Sequence, residues 1–101
     1  MMEKENLKLI YDDEYNKLYF DEVNQYYVLW LMISHVMWYD IYIRLIDEEV
    51  KKILKPDGEI NEVEFRHFAN DIALCRPGLV GRYTPWDERI LYRKNIEKEI
   101  E

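Results

Sequence analysis

The run from Tyr26 to Ile46, YYVLWLMISHVMWYDIYIRLI, decides how the rest of the chain is read. It is apolar and aromatic, broken mainly by Ser34, His35, Asp40 and Arg44, and it lies in a first half that has no glycine or proline before Pro56. Just upstream, Leu7, Ile10, Tyr11, Tyr15, Leu18, Tyr19, Val23, Tyr26, Tyr27 and Trp30 step by three and four, so the spacing predicts a helix. Asp12 is placed to cap it, with Asp13 and Glu14 at the positive end of the helix dipole. From there to Leu54 nothing stops the helix, which unbroken would be about 60 Å long at 1.5 Å per residue. That length requires a bend, near Asp21 to Gln25 or at Ser34-His35, or a second copy to pack against. The same first residues also admit a hairpin, LKLIY and KLYF around DDEYN, because Tyr-rich segments flanking an Asp/Asn turn have that pattern.

The second half carries all the punctuation: Pro56, Pro77 and Pro85, with Gly58, Gly78 and Gly81. Lys55-Pro56-Asp57-Gly58 ends a helix, and Asn61 with Glu64 three residues on is a capping-box start, with Ile60 and Phe65 as its hydrophobic staple. Phe65, Phe68, Ala69, Ile72 and Cys75 give this helix an apolar face ending before Arg76-Pro77-Gly78. Thr84-Pro85-Trp86-Asp87 starts a last helix running towards Glu99. The expected fold is all-α: one domain over residues 1–101, a bundle of three to four helices around a long central aromatic helix, with an α+β chain opening on a β-hairpin as the alternative. Two domains would leave each core too small to offset chain entropy.

In the helical reading, Asp40, Arg44, Asp47, Glu48, Lys51 and Lys52 form a solvated stripe with acid-before-base pairs at i,i+4. Upstream of Asp40 there is no comparable polar face, so Tyr26, Tyr27, Trp30, Met37 and Trp38 are the expected interface anchors, for a partner or for a second copy. A membrane span is not expected, since the stretch from Tyr26 to Ser34 is far short of the roughly 20 residues a bilayer requires.

The chain has 21 acidic and 14 basic residues, a net charge of -7, which opposes direct binding to nucleic acid and favours a partner with a basic surface. The lone Cys75 excludes an internal disulfide and the opening MMEKENLK has no export-type apolar core, both of which point to the cytoplasm.

No catalytic constellation is present. Glu64, His67 and Asp71 share a helix face at metal-ligand spacing, but a carboxylate-bridged site needs a second such motif, and His35 has no carboxylate three residues before it. Asp57-Gly58-Glu59-Ile60 through Glu64 resembles the second half of a calcium loop, yet Ile53 and Lys55 stand where its first oxygen ligands belong. Six residues separate Cys75 from Arg82, one too many for a phosphatase loop. No metal or other cofactor is therefore expected.

The segment CRPGLVGRYTPWDERILYRK differs in charge from the rest. From Arg76 to Lys94 it has five bases and two acids, and its arginines sit beside glycines, Tyr83 and Trp86. Arg76, Arg82, Tyr83, Trp86, Arg89 and Arg93 are thus the candidate residues for a nucleotide or other phosphate-bearing ligand, by backbone donors, forked cations and ring stacking. The plainer account pairs these arginines with the acidic stretch Asp47 to Glu64. Small size, acidity, excess aromatic surface and missing catalytic groups together suggest a non-catalytic inhibitor or mask, of the kind immunity proteins and viral counter-defence proteins are. The phosphate-ligand module is the alternative.

Overall fold

A computed structural model describes residues 6–34, 38–79, 81 and 83–95, and of residues 34, 38 and 92–95 the backbone alone. Four strands come first: β1 (Leu7–Asp12), β2 (Asn16–Asp21), β3 (Tyr26–Ser34) and β4 (Trp38–Arg44). Two helices follow, α1 (Asp47–Ile53) and α2 (Glu62–Cys75), then a 3-10 turn (Asp87–Arg89) and β5 (Ile90–Asn95). The five strands form one antiparallel sheet in the order β1-β2-β3-β4-β5, so β5 returns to the free side of β4 after the helical excursion. The fold is α+β, and the all-α bundle is overturned.

The run from Tyr26 to Ile46 holds two strands, β3 and β4, and ends at Ile46, the residue that precedes α1, rather than forming one helix. Val28, Leu29, Trp30 and Leu31 are consecutive in β3 and all are buried, Trp30 at 8% exposure and the others at 0%. A strand covered on both faces loses its alternation and reads as a continuous apolar run, which periodicity cannot separate from a buried helix. The residues LKLIY and KLYF are β1 and β2.

Turns form without the usual breakers. The Asp21 carboxylate accepts from the backbone N–H groups of Val23 and Asn24, both at 2.9 Å, and from Asn24 Nδ2 at 3.0 Å. Gln25 takes a left-handed φ of 61° and donates its N–H to the Asp21 carbonyl at 2.8 Å. An Asx turn and one left-handed Gln thus reverse the chain between β2 and β3, at the place where the helical reading needs a bend.

The register sorts the side chains by face. Leu18, Leu29, Leu31, Ile33, Tyr39, Ile41 and Ile43 point towards the helices and pack with Ile53, Phe65, Ala69 and Ile72. Tyr11 meets Phe65 edge-on at 5.1 Å between ring centroids, and Tyr39 donates its hydroxyl to the Pro77 carbonyl at 3.2 Å, tying β1 and the chain after α2 to this core. Helix α2 starts where its sequence signal puts it: Asn61 accepts from the Glu64 N–H at 3.3 Å, and Ile60 packs on the core beside Phe65.

The last helix is also overturned. Thr84 is not its cap: the cap position is Trp86, with no side-chain cap bond, while Thr84 donates its hydroxyl and N–H to the Asp87 carboxylate and accepts from the Trp86 N–H at 3.3 Å, and the helical turn stops at Arg89. Ile90 is extended (φ -70°, ψ 122°) and opens β5, because the open edge of β4 gives the Ile-Leu-Tyr sequence a ladder to complete. Asp40 and Arg44 belong to β4 and not to a solvated helical stripe. Asp47, Glu48, Lys51 and Lys52 are exposed on α1.

Candidate interaction surfaces

The five candidate anchors do not form one patch. Val28, Trp30 and Tyr42, on the sheet face away from the helices, form a second small cluster with Leu7, Tyr19, Tyr26, Met32 and Leu91 around it. Tyr26 and Trp30 lie here, whereas Tyr27 points to the helical side and stacks edge-on with Phe20 at 4.9 Å. Met37 lies outside the described residues, and of Trp38 the described part is its backbone, paired with Ser34.

This second face is largely closed by its own polar side chains. Lys17 Nζ sits 5.6 Å from the Trp30 ring centroid and the Arg44 guanidinium 5.8 Å from that of Tyr26, both as cation–π contacts. Tyr19 and Tyr42 lie 6.2 Å apart. The Trp30 indole donates to Asp40 Oδ2 at 2.9 Å, while Asp40 Oδ1 is buried with no hydrogen-bond partner among the described residues. A carboxylate taken for a solvated group is thus half-buried against a tryptophan; the register across β3 and β4, Met32 opposite Asp40, places it there.

The six candidate ligand residues are also dispersed. Arg89 grips Glu49 with both nitrogens, at 2.7 and 2.9 Å, and donates to the Arg44 carbonyl at 3.3 Å. The two side chains are 17% and 12% exposed. Glu49 also accepts from the Ile46 N–H at 3.0 Å, fastening the start of α1. Burial pushes the Glu49 carboxyl up, but the Arg89 and Ile46 hydrogen bonds, the Arg89 charge and the nearby Trp86 indole outweigh it and hold the pKa below the usual 4.5. The reciprocal bonds raise the Arg89 pKa against its own burial. Trp86 Nε1 helps favour the ionised Glu49 but reaches hydrogen-bond geometry with no described group. Its ring packs on the helical core.

Tyr83 is 70% exposed, and its hydroxyl donates to Glu88 at 2.7 Å, which raises the phenol pKa. Arg76 is the left-handed residue that ends α2, with φ 52°. Arg82 lies outside the described residues, and Arg93 is placed by its backbone alone, opposite Ile41. Arg89 and Trp86 are therefore committed to joining α1 to the turn before β5. Glu49, which the charge pattern gives only as part of an acidic stretch, is the residue that fixes them.

The helical layer is acidic. Between Asp47 and Asp71 there are eight carboxylates and four bases, and Glu49 is turned inward. Around the turn from α1 to α2, Asp57, Glu59, Glu62 and Glu64 are all exposed, and none joins an ion pair among the described residues. This turn is shaped by Gly58, whose φ of 89° favours glycine, and by Asp57, which accepts from the Glu59 N–H at 3.0 Å. A bridge between Leu54 and Ile60 closes its base, so Asp57 and Glu59 are presented on a closed turn and Glu62 and Glu64 follow on the first turn of α2.

Among the described residues, no group of three or more His, Cys, Asp and Glu side chains is placed to hold a metal ion. Nor is any helix there long and apolar enough to cross a membrane. Comparison of the chain with protein-family models, with curated proteins and with solved structures gives no match.

Proposed function

We propose that the chain is a small acidic interaction module that inhibits or masks another macromolecule by occupying a basic surface on it, without catalysis. The observation that carries this reading is the tip between α1 and α2, where residues 57–64 hold four exposed carboxylates and no base. Exposed charges of one sign on a fixed turn raise the rate of encounter with an oppositely charged surface and select against acidic ones. Nucleic acid is a poor partner for such a tip, and a basic protein a good one. The unpaired Cys75 agrees with a reducing compartment, and we place the protein in the cytoplasm.

The alternative, a phosphate-ligand module at residues 76–93, has less support because Arg89 and Trp86 are already used within the fold. The test is affinity purification from the native host with mass spectrometry, comparing the natural protein with Glu59→Gln/Glu62→Gln/Glu64→Gln. A basic protein retained by the first, depleted at least about tenfold with the second, and inhibited by stoichiometric addition is the expected result, given that a loss of 1.4 kcal/mol is tenfold in affinity. Retention of no basic protein, or equal retention by the variant, removes the reading.

A further inference from the structure

β1 is an outer strand of the sheet, so one side of its backbone has no ladder partner among the described residues. Such an edge is a template for another strand unless it is covered or charged. Here the middle of the strand is apolar and open: Leu9 is 48% exposed and Ile10 38%. Ile10 is the extra residue of a bulge between Leu9 and Tyr11 and has no partner on β2. Leu9 stands opposite Tyr19, so it extends the apolar strip of the second sheet face out to the edge.

The charge along this edge is polar in the directional sense. Lys8 lies near its start, and Asp12, Asp13 and Glu14 follow at its end. The start of α2 adds to the acidic end, since Tyr11 packs on Phe65 and Glu62 is close enough to raise the Tyr11 pKa, after the larger effect of burial. Asp12 and Asp13 already meet Lys17 at 3.0 Å and Arg66 at 3.7 Å, but both are solvent-exposed pairs worth little on their own.

We propose that β1 pairs antiparallel with β1 of a second copy, forming a closed two-fold dimer with a continuous ten-stranded sheet. Antiparallel pairing brings the Lys8 end of each strand to the acidic end of the other, whereas parallel pairing would set Asp12 against Asp12. Leu9 and Ile10 meet near the two-fold axis, as an isologous contact requires. A uniformly basic peptide would match the acidic end and be repelled at Lys8, which makes the chain's own copy the better occupant. This surface differs from the aromatic run around Trp30, which is taken up in the protein's own second cluster. It does not depend on the identity of any other partner.

One edge strand is a small contact, in the class of weak association, so a dissociation constant on the order of 100 μM is expected. Sedimentation velocity from about 20 μM to 1 mM should show the weight-average mass rising towards twice the monomer value, with amide hydrogen exchange in β1 slowing over the same range. Ile10→Lys, a change at an exposed position, should hold the protein monomeric at 1 mM with an unchanged circular dichroism spectrum. Lys8→Glu should weaken the dimer about tenfold, and Lys8→Glu/Asp12→Lys, which reverses the polarity of the edge, should restore it. A protein monomeric throughout, or a dimer indifferent to Ile10→Lys, overturns the proposal.

Discussion

The Glu49–Arg89 pair offers the sharpest test of how this fold is held, because it joins segments forty residues apart. Removing Arg89 as Arg89→Met leaves the Glu49 carboxylate, 12% exposed, with the Ile46 N–H but without its cation. Breaking a buried pair from one side costs about 3–5 kcal/mol. The partial exposure of both side chains lowers this to about 2–4 kcal/mol, or roughly 10–25 °C in Tm for a domain of this size. Glu49→Leu, which strands the guanidinium instead, should cost a similar amount. The double variant Glu49→Leu/Arg89→Met leaves no orphaned charge and should cost well under the sum, with a coupling of about 2 kcal/mol in a double-mutant cycle. Urea denaturation of the four proteins at pH 7 measures it. Single costs that add to within about 0.5 kcal/mol would refute the claim that these groups act as one unit.

Acid titration follows from the same pair and from Asp21. Burial raises the Asp21 pKa, but the hydrogen bonds from Asn24 and Val23 outweigh it and hold the group below its usual 3.8. Since both Glu49 and Asp21 have depressed folded values, their stabilisation is present above the unfolded values and is lost as pH falls through the folded ones. The urea midpoint should therefore fall below about pH 4.5, and less steeply in Arg89→Met. On α2, Phe65→Ala should cost about 3–5 kcal/mol while Val63→Ala, at an exposed position, should stay within about 0.5 kcal/mol, as thermal denaturation will show. Arg76→Gly, at the left-handed helix end, should stabilise by about 0.5–1 kcal/mol in the same assay.

Local signals of the second half are legible because each rests on a few neighbouring atoms. Asn61 caps α2 through the Glu64 N–H three residues on, a bond within one turn of chain. The opening run fails for the opposite reason. Leu29 and Trp30 are both buried only because helices cover one sheet face while Lys17, Tyr19, Tyr26 and Arg44 cover the other, and that arrangement is not local. Thr84 shows the two cases meeting: it bonds locally to Asp87 without capping the turn that follows, and the edge of β4 then takes the residues that would have continued the helix. Among candidate site residues, charge balance marks the arginine segment but not its direction; the inward turn of Arg89 depends on Glu49, forty residues earlier.

That inward turn bears on function through the distribution of charge. The net charge of -7 counts all residues alike, yet a partner meets only those that face it. Arg89 is spent against Glu49, and Lys17 and Arg44 lie over rings on the second sheet face, so these three cations do little to neutralise the helical side. Asp57, Glu59, Glu62 and Glu64 lie within eight residues and join no ion pair among the described residues. Exposed groups of this kind act over a Debye length of about 8 Å at physiological ionic strength. Their contribution therefore belongs to the association step more than to the lifetime of a complex, and capture of a basic partner through this tip should weaken with added salt chiefly by slower association.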